Sequence, residues 1–162
     1  MKYLSFHIKN FKGIKNLRLD LTKKPVSNIF TLVGLNESGK TSILEAIYFF
    51  QNPIDADQSY TLISKDKQYD FNDSIPAQAR LEFSKEEVES IKTKLKTDWK
   101  FQVSSFSPII TITKKFIFRE SNYKERTSLW DIEIVGKTSR GKNEKRLFDW
   151  NREAWNEIAD YI

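Results

Sequence analysis

The sequence predicts a mixed α/β fold on three observations. Residues 2–9 alternate apolar and polar as a strand does, a G-x-x-x-x-G-K-[ST] loop stands between an apolar run and a helical stretch, and β-branched and aromatic residues alternate through the second half. The 162 residues suffice for one domain with a real core, and a content of 39% hydrophobic and 14% aromatic residues excludes global disorder. Without cysteine, neither a disulfide frame nor a Cys-ligated metal can form. The N-terminus opens as a strand and not as a signal peptide, and no apolar run approaches membrane-spanning length, so the cytoplasm is the expected compartment. A net charge of +5 and a pI near 9.3 permit contact with a polyanion, although a nucleotide site also draws on positive field.

Taken in order, Leu4, Phe6 and Ile8 make the apolar face of the first strand, and Asn10 to Gly13 turn the chain into a second alternating stretch, Ile14 to Leu21, which predicts a hairpin. His7, the one histidine, falls on the more polar face without a second ligand or nucleophile, which marks it as structural or exposed. Asn28 to Val33 read as a buried strand, and Ser42 to Gln51 as a helix ended by Asn52-Pro53. That helix is apolar around most of its circumference, which predicts packing on both sides. Residues 54–76 are polar and bounded by prolines, and predict a weakly ordered, flexible loop.

Ala77 to Phe83 read as a strand, and the S-x-x-E box Ser84 to Glu87 starts a helix with the apolar stripe Val88, Ile91, Leu95 and Trp99. Phe106 to Glu120 and Tyr123 to Val135 predict an antiparallel sheet separate from the loop-bearing unit. Residues 136–146 hold the densest basic run, read as a solvated loop or a phosphate-contacting one, with no aromatic interleaved for base stacking. Residues 149–162 are spaced as a helix face.

The organising element is Gly34-Leu35-Asn36-Glu37-Ser38-Gly39-Lys40-Thr41. Successive backbone N–H groups, with glycine where a side chain would obstruct, make a nest for phosphate oxygens, and the helix that follows adds unpaired N–H groups and its positive dipole end. In this pattern Lys40 reaches the β and γ phosphates, Thr41 offers its hydroxyl to Mg²⁺, and Ser42 adds a bond to the α phosphate. A hydrolase also needs an acidic residue at the end of a second apolar strand, and no such run stands in these residues, so catalytic residues are not assigned and a longer chain is expected.

Ile8-Lys9-Asn10-Phe11-Lys12-Gly13, and then Leu32-Val33-Gly34 through Ser42-Ile43-Leu44-Glu45-Ala46-Ile47, resemble the start of SMC-like ABC ATPases, and within them the OLD-type and RecF-like prokaryotic AAA-family branch. The resemblance is specific over residues 1–51 and loose beyond. It implies a P-loop NTPase fold in which residues 1–162 form the N-terminal lobe of an ABC-type head with an antiparallel β subdomain. A C-terminal lobe would supply the signature motif and acidic pair, and two heads would sandwich ATP. It further implies Asn36 beside the γ phosphate, Lys12 on a nucleotide phosphate, and a glutamine ligand for Mg²⁺, for which Gln78 and Gln102 are the candidates. By analogy it implies work on DNA in repair or antiphage defence, with a nuclease or effector as partner and no membrane. The alternative is a non-catalytic, nucleotide-dependent module that recruits an effector; a GTP switch is disfavoured because no Asn-Lys-x-Asp motif occurs.

Overall fold

The computed structural model describes residues 1–23, 30–35, 39–141 and 143–161, with backbone alone for Ala56, Asp160 and Tyr161. The chain divides into two units, one of Tyr3–Arg80 with Ile112–Leu129 and one of Met1–Lys2, Leu81–Thr111 and Trp130–Ile162.

In the first unit, β1 (Lys2–Phe11) and β2 (Ile14–Asp20) form the expected antiparallel hairpin, with Phe6 opposite Leu19 and Ile8 opposite Leu17. His7 bridges it, Nε2 lying 2.6 Å from Asn16 Oδ1 on the neighbouring strand, a structural role. Helix α1 (Lys40–Gln51) follows, ending as predicted at Asn52. Its buried face is Ala46 and Phe50, and the Phe50 ring meets Phe6 of β1 edge-on at 5.7 Å.

Strand β3 (Ser74–Glu82) and the hairpin of β5 (Ile109–Arg119) and β6 (Asn122–Asp131) complete a five-stranded sheet in the order β2-β1-β3-β5-β6, while β4 (Phe101–Phe106) belongs elsewhere. Glu120 and Ser121 both have positive φ, 51° and 59°, the geometry a two-residue hairpin turn needs. The hairpin thus shares a sheet with β1, in place of the separate sheet the sequence predicts. Alternation shows that a stretch is a strand but carries no information on its partner, and β3 is the strand that joins the two.

The remaining differences lie in three stretches. Residues 54–76 are ordered by a few apolar anchors: two short 3₁₀ turns, Ala56–Leu62 and Lys65–Lys67, bring Leu62, Ile63, Phe71 and Ile75 into the core, and Lys12 N–H donates to Leu62 O at 2.7 Å. Of the strand expected over 28–33, residues 30–33 lie outside any strand, with Val33 90% exposed, and Asn28 and Ile29 lie outside the described residues. No described strand pairs with this run, and strand geometry persists only where a neighbour takes up the backbone bonds. Helix α1 is covered on one side only, since Leu44 and Tyr48 are 59% and 57% exposed.

In the second unit, Ser84 caps α2 (Lys85–Asp98): its Oγ accepts from Glu87 N–H, and the Glu87 carboxylate accepts from Ser84 N–H at 2.8 Å. Ile91 and Leu95 turn inward. The alternation through 106–135 proves to hold four strand segments. Ser107-Pro108 separates β4 from β5, and β7 (Ile134–Thr138) starts beyond β6, pairs antiparallel with β4 and is followed by β8 (Lys145–Arg146). Part of the basic run is therefore strand. Helices α3 (Leu147–Trp150) and α4 (Arg152–Tyr161) close the unit, with Trp150 stacked on Phe101 at 5.0 Å and Trp99 Nε1 donating to Glu157 at 2.7 Å.

Candidate functional site

The phosphate-loop pattern meets the structure at the start of α1. Gly39 is the N-cap and has φ +85°, a left-handed conformation that a β-carbon disfavours. Gly39 has no side chain to cap the helix, and the first turn of α1 carries no acidic residue. Its leading N–H groups therefore keep their donor capacity at the positive end of a twelve-residue dipole, an arrangement that suits an anion.

Lys40 reaches back across the loop it follows. Its Nζ donates to Gly34 O at 2.7 Å and to Leu35 O at 2.5 Å. These carbonyls hold the ammonium over the loop, and a phosphate can replace them as acceptor because both are exchangeable single bonds near solvent. Thr41 is exposed and Ser42 partly so, both on the first turn of α1. The Thr41 hydroxyl is the hard oxygen donor that Mg²⁺ prefers. Asn36, Glu37 and Ser38 lie outside the described residues.

Other predicted residues fall in different surroundings. Lys12, in the β1–β2 turn with φ +49°, is tied to α1 by an ion pair with Glu45 Oε2 at 2.6 Å. A phosphate contact by Lys12 has to compete with that carboxylate. Gln78, on β3, donates from Nε2 to Thr113 Oγ1 at 3.0 Å, a bond that does not use its carbonyl oxygen. Gln102 is on β4, in the other unit from the loop.

Sequence reasoning missed the support at the far end of α1. That end has no basic residue of its own, and two cations from the β5–β6 hairpin serve it: Lys114 Nζ donates to Phe50 O at 2.6 Å, and Arg126 Nη1 to Asn52 O at 2.8 Å. The Lys114 ammonium also lies 4.8 Å from the Phe50 ring centre. Burial, and then the nearby Arg126, hold the Lys114 ammonium below the usual lysine range. Nothing in the spacing of Lys114 and Arg126 signals this, because they meet α1 only through the tertiary fold.

The G-x-x-x-x-G-K-T sequence and the glycine-started helix behind it, in a mixed α/β chain, are those of a P-loop NTPase, and the family match bears on the same class. Residues 1–161 match the profile described as AAA ATPase domain, and the chain belongs to that family. No curated protein matches it. Among solved structures it is similar to one from work on "ATP-driven dimerization and DNA stimulated activation of SMC ATPases", at 18% identity and a TM-score of 0.48, over 81% of this chain and 70% of that one. Among the described residues no helix is long and apolar enough to cross a membrane.

Proposed function

We propose that the chain binds MgATP through residues 34–42 and acts as the N-terminal lobe of an SMC-like ATPase of the OLD-type and RecF-like branch. The observation that carries this reading is the glycine-started N-terminus of α1, with Gly39 left-handed and the Lys40 ammonium bonded to Gly34 O and Leu35 O. In this reading Gly34, Asn36, Glu37, Ser38, Gly39 and Lys40 grip the β and γ phosphates, Ser42 contacts the α phosphate, and Lys12 takes a phosphate in exchange for Glu45. Thr41 ligates Mg²⁺, and Gln78, which belongs to the same unit as the loop, is a better second ligand than Gln102. Hydrolysis follows when a C-terminal lobe supplies the acidic pair and a second head closes over the nucleotide. In this reading the assembly serves DNA repair or antiphage defence alongside a nuclease or effector, a role carried over from the family resemblance.

The test is thermal unfolding with and without nucleotide. At a hundredfold excess over the dissociation constant, MgATP adds about 2.7 kcal/mol, which raises Tm by about 5–10 °C in a chain of this size. MgGTP is expected to add less, and Lys40→Ala to remove the MgATP shift. An equal shift in Lys40→Ala, or none in the wild type, overturns the reading.

A further inference from the structure

The second unit carries a cavity of about 320 Å³ lined by Lys96, Lys100, Gln102, Lys137, Thr138 and Ser139. Each of these described side chains can donate a hydrogen bond and none of them is acidic. The last turn of α2 supplies Lys96, and Lys100, with φ +51°, turns the chain into β4 while its Nζ donates to Thr97 O at 2.9 Å. Gln102 and Lys137 are direct cross-strand partners, so both project from the same exposed face of the β4–β7 pair.

The floor beneath this ring is closely packed. A β-carbon on Gly136 would stand 2.4 Å from Gln102 O and 2.5 Å from a ring carbon of Phe101, so the two strands approach to a distance that only glycine permits. Phe101 is fully buried and stacked on Trp150. Gln102 and Lys137 thus stand on a closely packed strand pair.

Lys100 is held by Thr97 O at the C-terminal end of α2, while Lys96 and Lys137 are left without a carboxylate among the described ion pairs. The carboxylates paired in this unit serve other cations: Glu89 pairs with Lys92, Glu157 with Lys94, Glu133 with Arg146, and Glu87 with the N-terminal ammonium. Like charges around one cavity repel, and a bound anion removes that repulsion. Lysine ammoniums with hydroxyl and amide donors suit tetrahedral phosphate oxygens, whereas a planar carboxylate favours the arginine fork. Among the described residues no aromatic lines the cavity to stack on a base, so the contact reads charge and not sequence.

We infer that Lys96, Lys100, Gln102 and Lys137 form a second phosphate-binding site, distinct from the nucleotide loop, that takes phosphate groups of a nucleic-acid backbone or of a free polyphosphate. The site stands whether or not the loop binds ATP. It gives Gln102 a role apart from Mg²⁺ and draws Lys137 from the basic run.

The test uses the full chain carrying Lys40→Ala, so that the loop is not read. A twenty-residue dT oligonucleotide and, separately, inorganic tripolyphosphate are titrated against it and against the same chain with Lys96→Gln and Lys137→Gln. A Lys115→Gln, Lys124→Gln pair, exposed and in the other unit, matches the change in net charge. Loss of two phosphate contacts lowers the salt slope for the oligonucleotide by about 1.4 and its affinity at 0.1 M salt by roughly 25-fold. The charge-matched pair is expected to bind far more like the parent, and Lys96→Arg with Lys137→Arg to restore binding. Selective loss for the oligonucleotide identifies nucleic acid, and selective loss for tripolyphosphate identifies the small ligand. Binding of neither ligand by the parent chain, or equal binding by the Lys96→Gln, Lys137→Gln chain and its charge-matched control, overturns the inference.

Discussion

Replacing Lys114 with methionine tests whether α1 is held from its C-terminal end. Methionine keeps an apolar stem against Phe50 but removes the charge-assisted bond to Phe50 O. A hydrogen bond from a charged group contributes about 1.5–3 kcal/mol, and a cation at a helix C-terminus adds about 0.3–1 kcal/mol. Two effects oppose these: the ammonium is partly buried, and it lies beside Arg126, and both depress its pKa. The net expectation is a loss of about 2 kcal/mol, or about 4–8 °C in Tm, from urea and thermal unfolding followed by circular dichroism. The pH dependence supplies a sign. A lysine whose folded pKa lies below 10.5 binds its proton more weakly in the folded state than in the unfolded one. Its contribution to stability therefore rises as pH climbs from the folded value toward the unfolded one, and is least favourable below both. The wild type should gain on the methionine variant across that window. A Lys114→Met chain as stable as the wild type at neutral pH would refute the reasoning, because it would show that desolvation and repulsion outweigh the bond.

Two further outcomes are expected. Gly39→Ala places a β-carbon in open space but on a backbone with φ +85°, so the cost is conformational, about 1–2 kcal/mol, and the shift in Tm caused by MgATP should shrink with it. Glu157 is held below its ordinary value of 4.5 by the bond from Lys94 and then by that from Trp99, so its stabilisation is present above that value and lost as pH falls through the folded pKa. Glu157→Gln should therefore lower stability at neutral pH and flatten the acid limb of a stability profile, and an unchanged acid limb would count against the pairing.

What the sequence revealed and what it hid divide along the range of the interactions. The capping box at Ser84 and Glu87, the hairpin that turns at Asn10 to Gly13, and the end of α1 at Asn52 rest on residues close to one another in sequence, and all are readable. The pairing of β4 with β7 was not, because Gln102 and Lys137 meet across the chain and the alternation of Phe101–Phe106 is diluted by Ser104 and Ser105. The polarity of 54–76 concealed four apolar anchors, although Leu62-Ile63, Phe71 and Ile75 stood in the run as a signal that it packs.

Helix α1 shows why the loop alone does not define the site. An anion held at its N-terminus bears on Lys40 and on leading N–H groups that move with the helix as a body. The axis of that body is fixed by Phe50 against Phe6, by Glu45 on Lys12, and by Lys114 and Arg126 at the last carbonyls. These contacts come from β1, the first turn, β5 and β6, so the sheet order that the sequence did not disclose is what sets the position of the loop that it did. A change in the β5–β6 hairpin such as Lys114→Met is therefore expected to reduce the Tm shift caused by MgATP as well as the stability of the chain, and an unaltered shift would show that the loop does not depend on the far end of α1.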